Sequence, residues 1–339
     1  MKPNARILLG HGSGGRLSHE LVTGVFIKKF ENTVLAGLTD AAVFPLNANK
    51  LAFTTDSFVV NPLFFPGADI GKLAVAGTVN DLAVSGAKPL YLSASFILEE
   101  GLELDILEKV TDSMAREARQ AGVMIVTGDT KVVEKGKCDK LFINTAGIGI
   151  FDETHRPLPS PENISSGDKI LINGTIGDHG MAVMAARNEL NLQSAISSDC
   201  ASLNSLIESL SAQNISIKFM RDATRGGLGT VLCELCENRP FGVLINEETL
   251  PVKEQVRGVC ELLGFDPLYV ANEGKVVMVV GENDAAKALE IMLQHELGAE
   301  AAIIGEIVGD HPGKTWLKTA YGSTRMVDML AGEQLPRIC

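Results

Sequence analysis

Val123-Met124-Ile125-Val126-Thr127-Gly128-Asp129-Thr130 sets a short apolar run directly ahead of an aspartate, and Leu104 to Ala121 in front of it has the apolar spacing of a helix. Helix and strand alternate outward from there. Leu51-Ala52-Phe53 reads as a strand and Gly71 to Ser85 as a helix, so the stretch from Val34 to about Ile150 is α/β. Pro157, Pro159 and Pro161, with Ser160, Ser165 and Ser166, break the pattern and place a domain boundary between Phe151 and Gly167. The strand Lys169 to Gly174 then opens a second α/β domain, which continues through strands Val243 to Ile245 and Val276 to Val280 to about Val308. From about Thr315, Trp316-Leu317-Lys318 and a helix-like Arg325 to Leu330 lead into a tail whose Gly332 and Pro336 oppose a helix. The expected organisation is a glycine-rich loop and helix over 1–33, an α/β domain over 34–155, a second over 165–314 and a tail over 315–339.

The 339 residues carry a formal charge of −12 with 45% hydrophobic residues, an ordinary globular composition for two domains. The acidic balance, with no Lys/Arg-rich block to offset it, opposes nucleic acid as a partner. No apolar run approaches the length of a membrane span, and Ile7-Leu8-Leu9 is too short for a signal sequence, so a cytoplasmic protein is expected. The six cysteines show no framework spacing and are expected reduced. There are 34 glycines against one tryptophan and three tyrosines, which favours tight turns near a phosphate over an aromatic stacking platform.

Gly10-His11-Gly12-Ser13-Gly14-Gly15 precedes a helix from Leu17 to Phe30. Glycines opening a helix expose backbone N–H groups to an anion, so this loop suits phosphate as well as it suits a plain turn. It also fits the dinucleotide pattern G-x-G-x-x-G, although the strand before it is thin. Short stretches ending in an acid recur at Asp40, Asp56, Asp81 and Asp129. Any one of them reads as a turn former or helix cap; four together need a cation, and hard oxygen ligands suit Mg²⁺ bridging to phosphate. Arg221-Asp222-Ala223-Thr224-Arg225-Gly226-Gly227 adds a fifth acid, Asp222, with guanidinium groups beside it. No Walker loop occurs, so use of ATP would run through carboxylates and metal. Cys233-Glu234-Leu235-Cys236 reads as packing inside a helix; Asp178-His179 suits acid–base chemistry or the cap of a helix beginning near Met181, and the cap is expected. Cys339 is the last residue, on a segment with little to anchor it; from Gly332 an extended chain reaches roughly 25–30 Å, enough to enter a cleft.

Taken with Thr55-Asp56-Ser57, Asn80 to Ala87, Thr127 to Val133, Ala271-Asn272-Glu273-Gly274-Lys275 and Pro336-Arg337-Ile338-Cys339, these motifs resemble the HypE family of hydrogenase maturation factors from end to end. That family belongs with aminoimidazole ribonucleotide synthetase, thiamine-monophosphate kinase and selenophosphate synthetase. The resemblance implies the two-domain aminoimidazole ribonucleotide synthetase-like α/β (α+β) fold, a dimer formed through a β-barrel-like interface of N-terminal domains, and a flexible tail. It implies an ATP-dependent carbamoyl dehydratase acting on its own Cys339, loaded by a HypF-type carbamoyltransferase. The resulting thiocyanate would give cyanide to iron on a HypC–HypD complex for the [NiFe] hydrogenase centre. By the same resemblance Glu273 is the base and Lys131 a relay or phosphate contact. ATP falls to Gly12, Ser13, Gly14, Gly15, Asp56, Asp81, Thr130 and Arg225, and Mg²⁺ to Asp40, Asp56, Asp81, Asp129 and Asp222. A kinase or synthetase of the same superfamily acting on a free small molecule, a non-catalytic thiol carrier and a dinucleotide-dependent oxidoreductase stay open as alternatives.

Overall fold

In the computed structural model, the described residues are 6–12, 15–35, 50–158, 161–187, 196–330 and 338. Asp40, Ser13, Gly14 and Cys339 lie outside them. The N-terminal helical stretch runs through α1 (Gly15–Leu21), a π-helical segment (Val22–Ile27) and α2 (Lys28–Phe30). The first sheet combines β1 (Leu51–Phe58), β4 (Lys88–Glu99), β5 (Met124–Val133) and β6 (Leu141–Ile150) in the order β1-β6-β4-β5, with only β4 and β5 parallel. A small ribbon of β2 (Phe64–Phe65) and β3 (Ala68–Asp69) leads into α3 (Ile70–Val84).

Helices α3 and α4 (Leu104–Ala121) cover one face of this sheet. Asp69 caps α3 by accepting from the N–H groups of Gly71 and Lys72, and α4 stops at Gly122, whose φ of 71° is left-handed. Among the described residues the other face is open. The register puts Leu51, Phe53, Thr55 and Ser57 on that open face together with Tyr91, Ile97, Met124, Asp129 and Lys131, whereas Asp56 faces the helices.

The second sheet has the order β13-β12-β9-β11-β7-β10-β8. Its strands are β7 (Lys169–Ile172), β8 (Ile217–Asp222), β9 (Gly242–Asn246), β10 (Val276–Val280), β11 (Ala302–Val308), β12 (Thr315–Lys318) and β13 (Thr324–Val327). The helices α5 (Asp178–Ala186), α6 (Asn204–Ser211), α7 (Gly227–Cys236), α8 (Glu254–Leu263) and α9 (Glu282–Leu293) accompany it. One apolar cluster runs from the first domain into the second, joining Phe65, Leu73 and Met114 with Met181, Val256 and Val270. Among the described residues no helix is long and apolar enough to cross a membrane.

Two sequence expectations need correcting. Thr324-Arg325-Met326-Val327 is a strand, not a helix: Gly322, with φ of 84°, turns the chain so that Trp316 pairs with Met326. The second sheet therefore extends to Val327, past the Thr315 at which the tail was expected to begin. The acids are also not turn residues after strands. Asp56 lies within β1, Asp129 within β5 and Asp81 within α3.

Candidate active site

A cavity of about 220 Å³ opens where the two sheets meet, lined by Asp56, Gly77, Asp81, Asp222, Arg225 and Glu273 among others. Each acid reaches it from a different element. Asp81 stands one helical turn beyond Gly77 on α3 and accepts from the Thr54 hydroxyl at 2.8 Å. A side chain at Gly77 would stand 3.7 Å from the Asp56 carboxylate and collide with the Phe58 ring, so glycine is what leaves room there. Asp222 ends β8, and Arg225 follows in the turn that enters α7.

Glu273 is held by its backbone from both domains. Its N–H donates to the Asp199 carboxylate at 3.2 Å, and its carbonyl accepts from the Asn80 side chain at 3.4 Å and from the Ala201 N–H at 3.3 Å. Asp199 also accepts from the Gly274 N–H and pairs with Lys275 at 3.1 Å. Asn272 ties this loop to the Asp222 turn, donating to the Ala223 carbonyl at 2.9 Å while accepting from the Gly177 N–H at 2.7 Å.

The charges are unbalanced. Burial raises the pKa of Asp56 and of Asp81, and Asp222 is pushed up to about 7 by burial and by the Asp81 and Asp56 carboxylates. Glu273 is raised well above the usual range by burial first, then by Asp222, Asp199 and Asp56, with Arg225 opposing. Among the described residues no three side chains already converge as a metal ligand set. A hard cation arriving with phosphate oxygens would relieve the repulsion among these acids, and Mg²⁺ needs only one or two carboxylates when phosphate supplies the rest.

Of the residues singled out in the sequence, Asp56, Asp81, Asp222, Arg225 and Glu273 line this one cavity. Asp129, Thr130 and Lys131 do not join them within one chain: Asp129 and Lys131 lie on the open face of the first sheet, and Thr130 pairs with Phe96 on the covered side. Gly12 and Gly15 flank the undescribed pair at the start of α1. Sequence reasoning missed Asp199, which stands in no motif; His179 is singled out in the sequence, but the cap role expected for it is not the one it has. Gly177 is the N-cap of α5, while His179 is fully buried with Nε2 2.6 Å from the carbonyl oxygen of Ile338.

The AIR synthase related protein N-terminal domain matches residues 38–151, and the AIR synthase related protein C-terminal domain matches 165–318. A carbamoyl dehydratase HypE from Rhodobacter capsulatus is 49% identical over 337 residues, covering 98% of each chain. The crystal structure of a hydrogenase maturation protein HypE in complex with ATP superposes with a TM-score of 0.92 at 48% identity, over 98% of this chain and 99% of that one. A HypE–HypF complex contains a chain that superposes with a TM-score of 0.79 at 52% identity, over 91% of this chain and 99% of that one.

Proposed function

The chain belongs to the AIR synthase related family and, within it, to the HypE carbamoyl dehydratases, and from that membership we propose that it uses ATP to dehydrate a carbamoyl group carried on its own Cys339. The observation that carries the proposal is the buried seat of Ile338, the residue before that thiol, on His179, which is joined through Ser198 and Asp199 to the backbone of Glu273 in the acid-lined cavity.

Turning a thiocarbamate into a thiocyanate means expelling the amide oxygen, and hydroxide is a poor leaving group. Transfer of the γ-phosphoryl group to that oxygen forms a P–O bond and releases ADP. Cleavage of the C–O bond then releases phosphate as two N–H protons leave, and the nitrile remains on sulfur. Glu273 is the base for those protons: a carboxylate whose proton affinity is raised by burial is a stronger base than one in water. Arg225 faces the developing phosphate charge, and Asp56, Asp81 and Asp222 would hold Mg²⁺. When bound, that ion neutralises charge on the phosphates being transferred.

The reading extends to partners. A HypF-type carbamoyltransferase loads Cys339, and the nitrile passes to iron on a HypC–HypD complex as a cyanide ligand of the [NiFe] centre, in the cytoplasm. A homodimer completes the site. The open face of the first sheet exposes Leu51, Phe53, Ile97 and Met124, with Phe53 70% exposed. Thr55 and Ser57 lie on that face and also border the cavity, so a second copy packed there would bring its Asp129 and Lys131 to the rim. The test supplies the carbamoyltransferase, carbamoyl phosphate and ATP and weighs the C-terminal peptide. A carbamoyl adduct should form and then lose one water; an adduct that persists with ATP and Mg²⁺ present overturns the dehydratase assignment.

A further inference from the structure

His179, the second residue of α5, is entirely buried and makes two polar contacts, neither of them with the acid-lined cavity. Its Nδ1 lies 2.9 Å from the Ser198 hydroxyl and its Nε2 2.6 Å from the Ile338 carbonyl oxygen. Ser198 Oγ already accepts from the Cys200 N–H at 3.1 Å, so its own proton is available to Nδ1. A carbonyl only accepts, which puts the ring proton on Nε2 and assigns the tautomer from the partners. The ring meets Phe65 edge-on at 5.4 Å, and burial lowers its pKa, which favours the neutral form.

Ile338 is itself buried within the cluster that joins the two domains. Ser198 supplies the connection. Its own N–H donates to the Pro66 carbonyl at 2.8 Å, and the next residue, Asp199, receives the N–H groups of Glu273 and Gly274. One short segment therefore fixes the histidine that holds the tail and the backbone of the base.

We propose that His179, oriented by Ser198, is the docking latch of the C-terminal tail and a positioning residue for the dehydration step, with no part in loading the thiol. The inference rests on Cys339 being the reacting thiol, and its first test does not depend on carbamoylation or dehydration of that thiol. In the full-length protein without ATP, the rate at which iodoacetamide alkylates Cys339 is followed by mass analysis of the C-terminal peptide. His179→Leu, which removes both contacts, should speed alkylation about tenfold, the loss of one buried hydrogen bond and its alignment. His179→Gln, which keeps a donor and an acceptor, should stay near the wild-type rate. Ile338→Ala, which trims the side chain that seats this residue in the apolar cluster, should also speed it, with an unchanged thermal midpoint showing that the fold is kept.

In single turnover after loading by the carbamoyltransferase, His179→Leu should slow water loss at least tenfold while leaving loading unchanged, and His179→Gln should restore it. Alkylation unaffected by His179→Leu and by Ile338→Ala overturns the latch, as does loading that falls in parallel with dehydration. If the wild type never acquires a carbamoyl group, the functional reading fails, and the alkylation rates still decide the latch.

Discussion

Asp222→Asn should stabilise the nucleotide-free protein, and more so as pH rises. Asp222 sits at the end of β8 with its pKa pushed from 3.8 to about 7 by burial and by the Asp81 and Asp56 carboxylates. Between those two pH values the folded protein binds more protons at this site than the unfolded chain does. The group therefore costs nothing well below pH 3.8, and its penalty accrues as pH rises from there until it is complete above about 7. The full displacement corresponds to about 4 kcal/mol as an upper figure, of which about 1.5 to 2 has accrued by pH 5. Asparagine carries no such charge, so its advantage should grow from under about 2 kcal/mol at pH 5 to as much as about 4 at pH 8. Urea unfolding in EDTA at the two pH values measures it. The same variant should lose the protection that ATP with Mg²⁺ gives the wild type, because relief of the repulsion is what the ligand provides. A destabilised variant at pH 8, or one whose advantage is the same at both pH values, refutes the reasoning.

Cys339→Ala should bind ATP as the wild type does by calorimetry yet give no thiocyanate peptide, whereas an enzyme acting on a free small molecule would turn over unchanged. Phe53→Glu places a charge on the open apolar face and should shift a dimer to monomer by sedimentation, with dehydration lost in the monomer. Gly274→Ala puts a Cβ 1.9 Å from the Asp199 carbonyl oxygen, a backbone atom that cannot turn aside. The Glu273 loop must shift, so thermal unfolding should show a cost of about 1–3 kcal/mol and single-turnover dehydration should slow even where ATP still binds.

The helix Leu104–Ala121 was legible to the residue because its apolar spacing is regular and Gly122 supplies a left-handed stop. The turn reading of Asp129 fails for a physical reason. β5 runs on through it, passing so close to β4 that a Cβ at Gly128 would stand 2.0 Å from the Ala94 carbonyl oxygen. Gly128 marks strand contact, and its neighbour Asp129 stays in the sheet, outside the lining of the cavity. Asp56, Asp81 and Asp222 could be picked because local acid chemistry marks them, whereas Glu273 was legible only through the family resemblance of Ala271-Asn272-Glu273-Gly274-Lys275.

His179 and Asp199 could not be picked in this way. Their roles depend on partners 159 and 74 residues away, Ile338 and Glu273, which only the folded chain brings near. This division has a consequence for mechanism. In the proposed reaction the legible residues meet the phosphates, while the illegible ones hold Ile338 and the backbone of Glu273. Carboxylates alone would serve any ATP-using member of the fold. A reaction on the protein's own terminus also needs that terminus delivered in one register, and Ile338 on His179, linked through Ser198 and Asp199 to Glu273, is the arrangement among the described residues that can supply it.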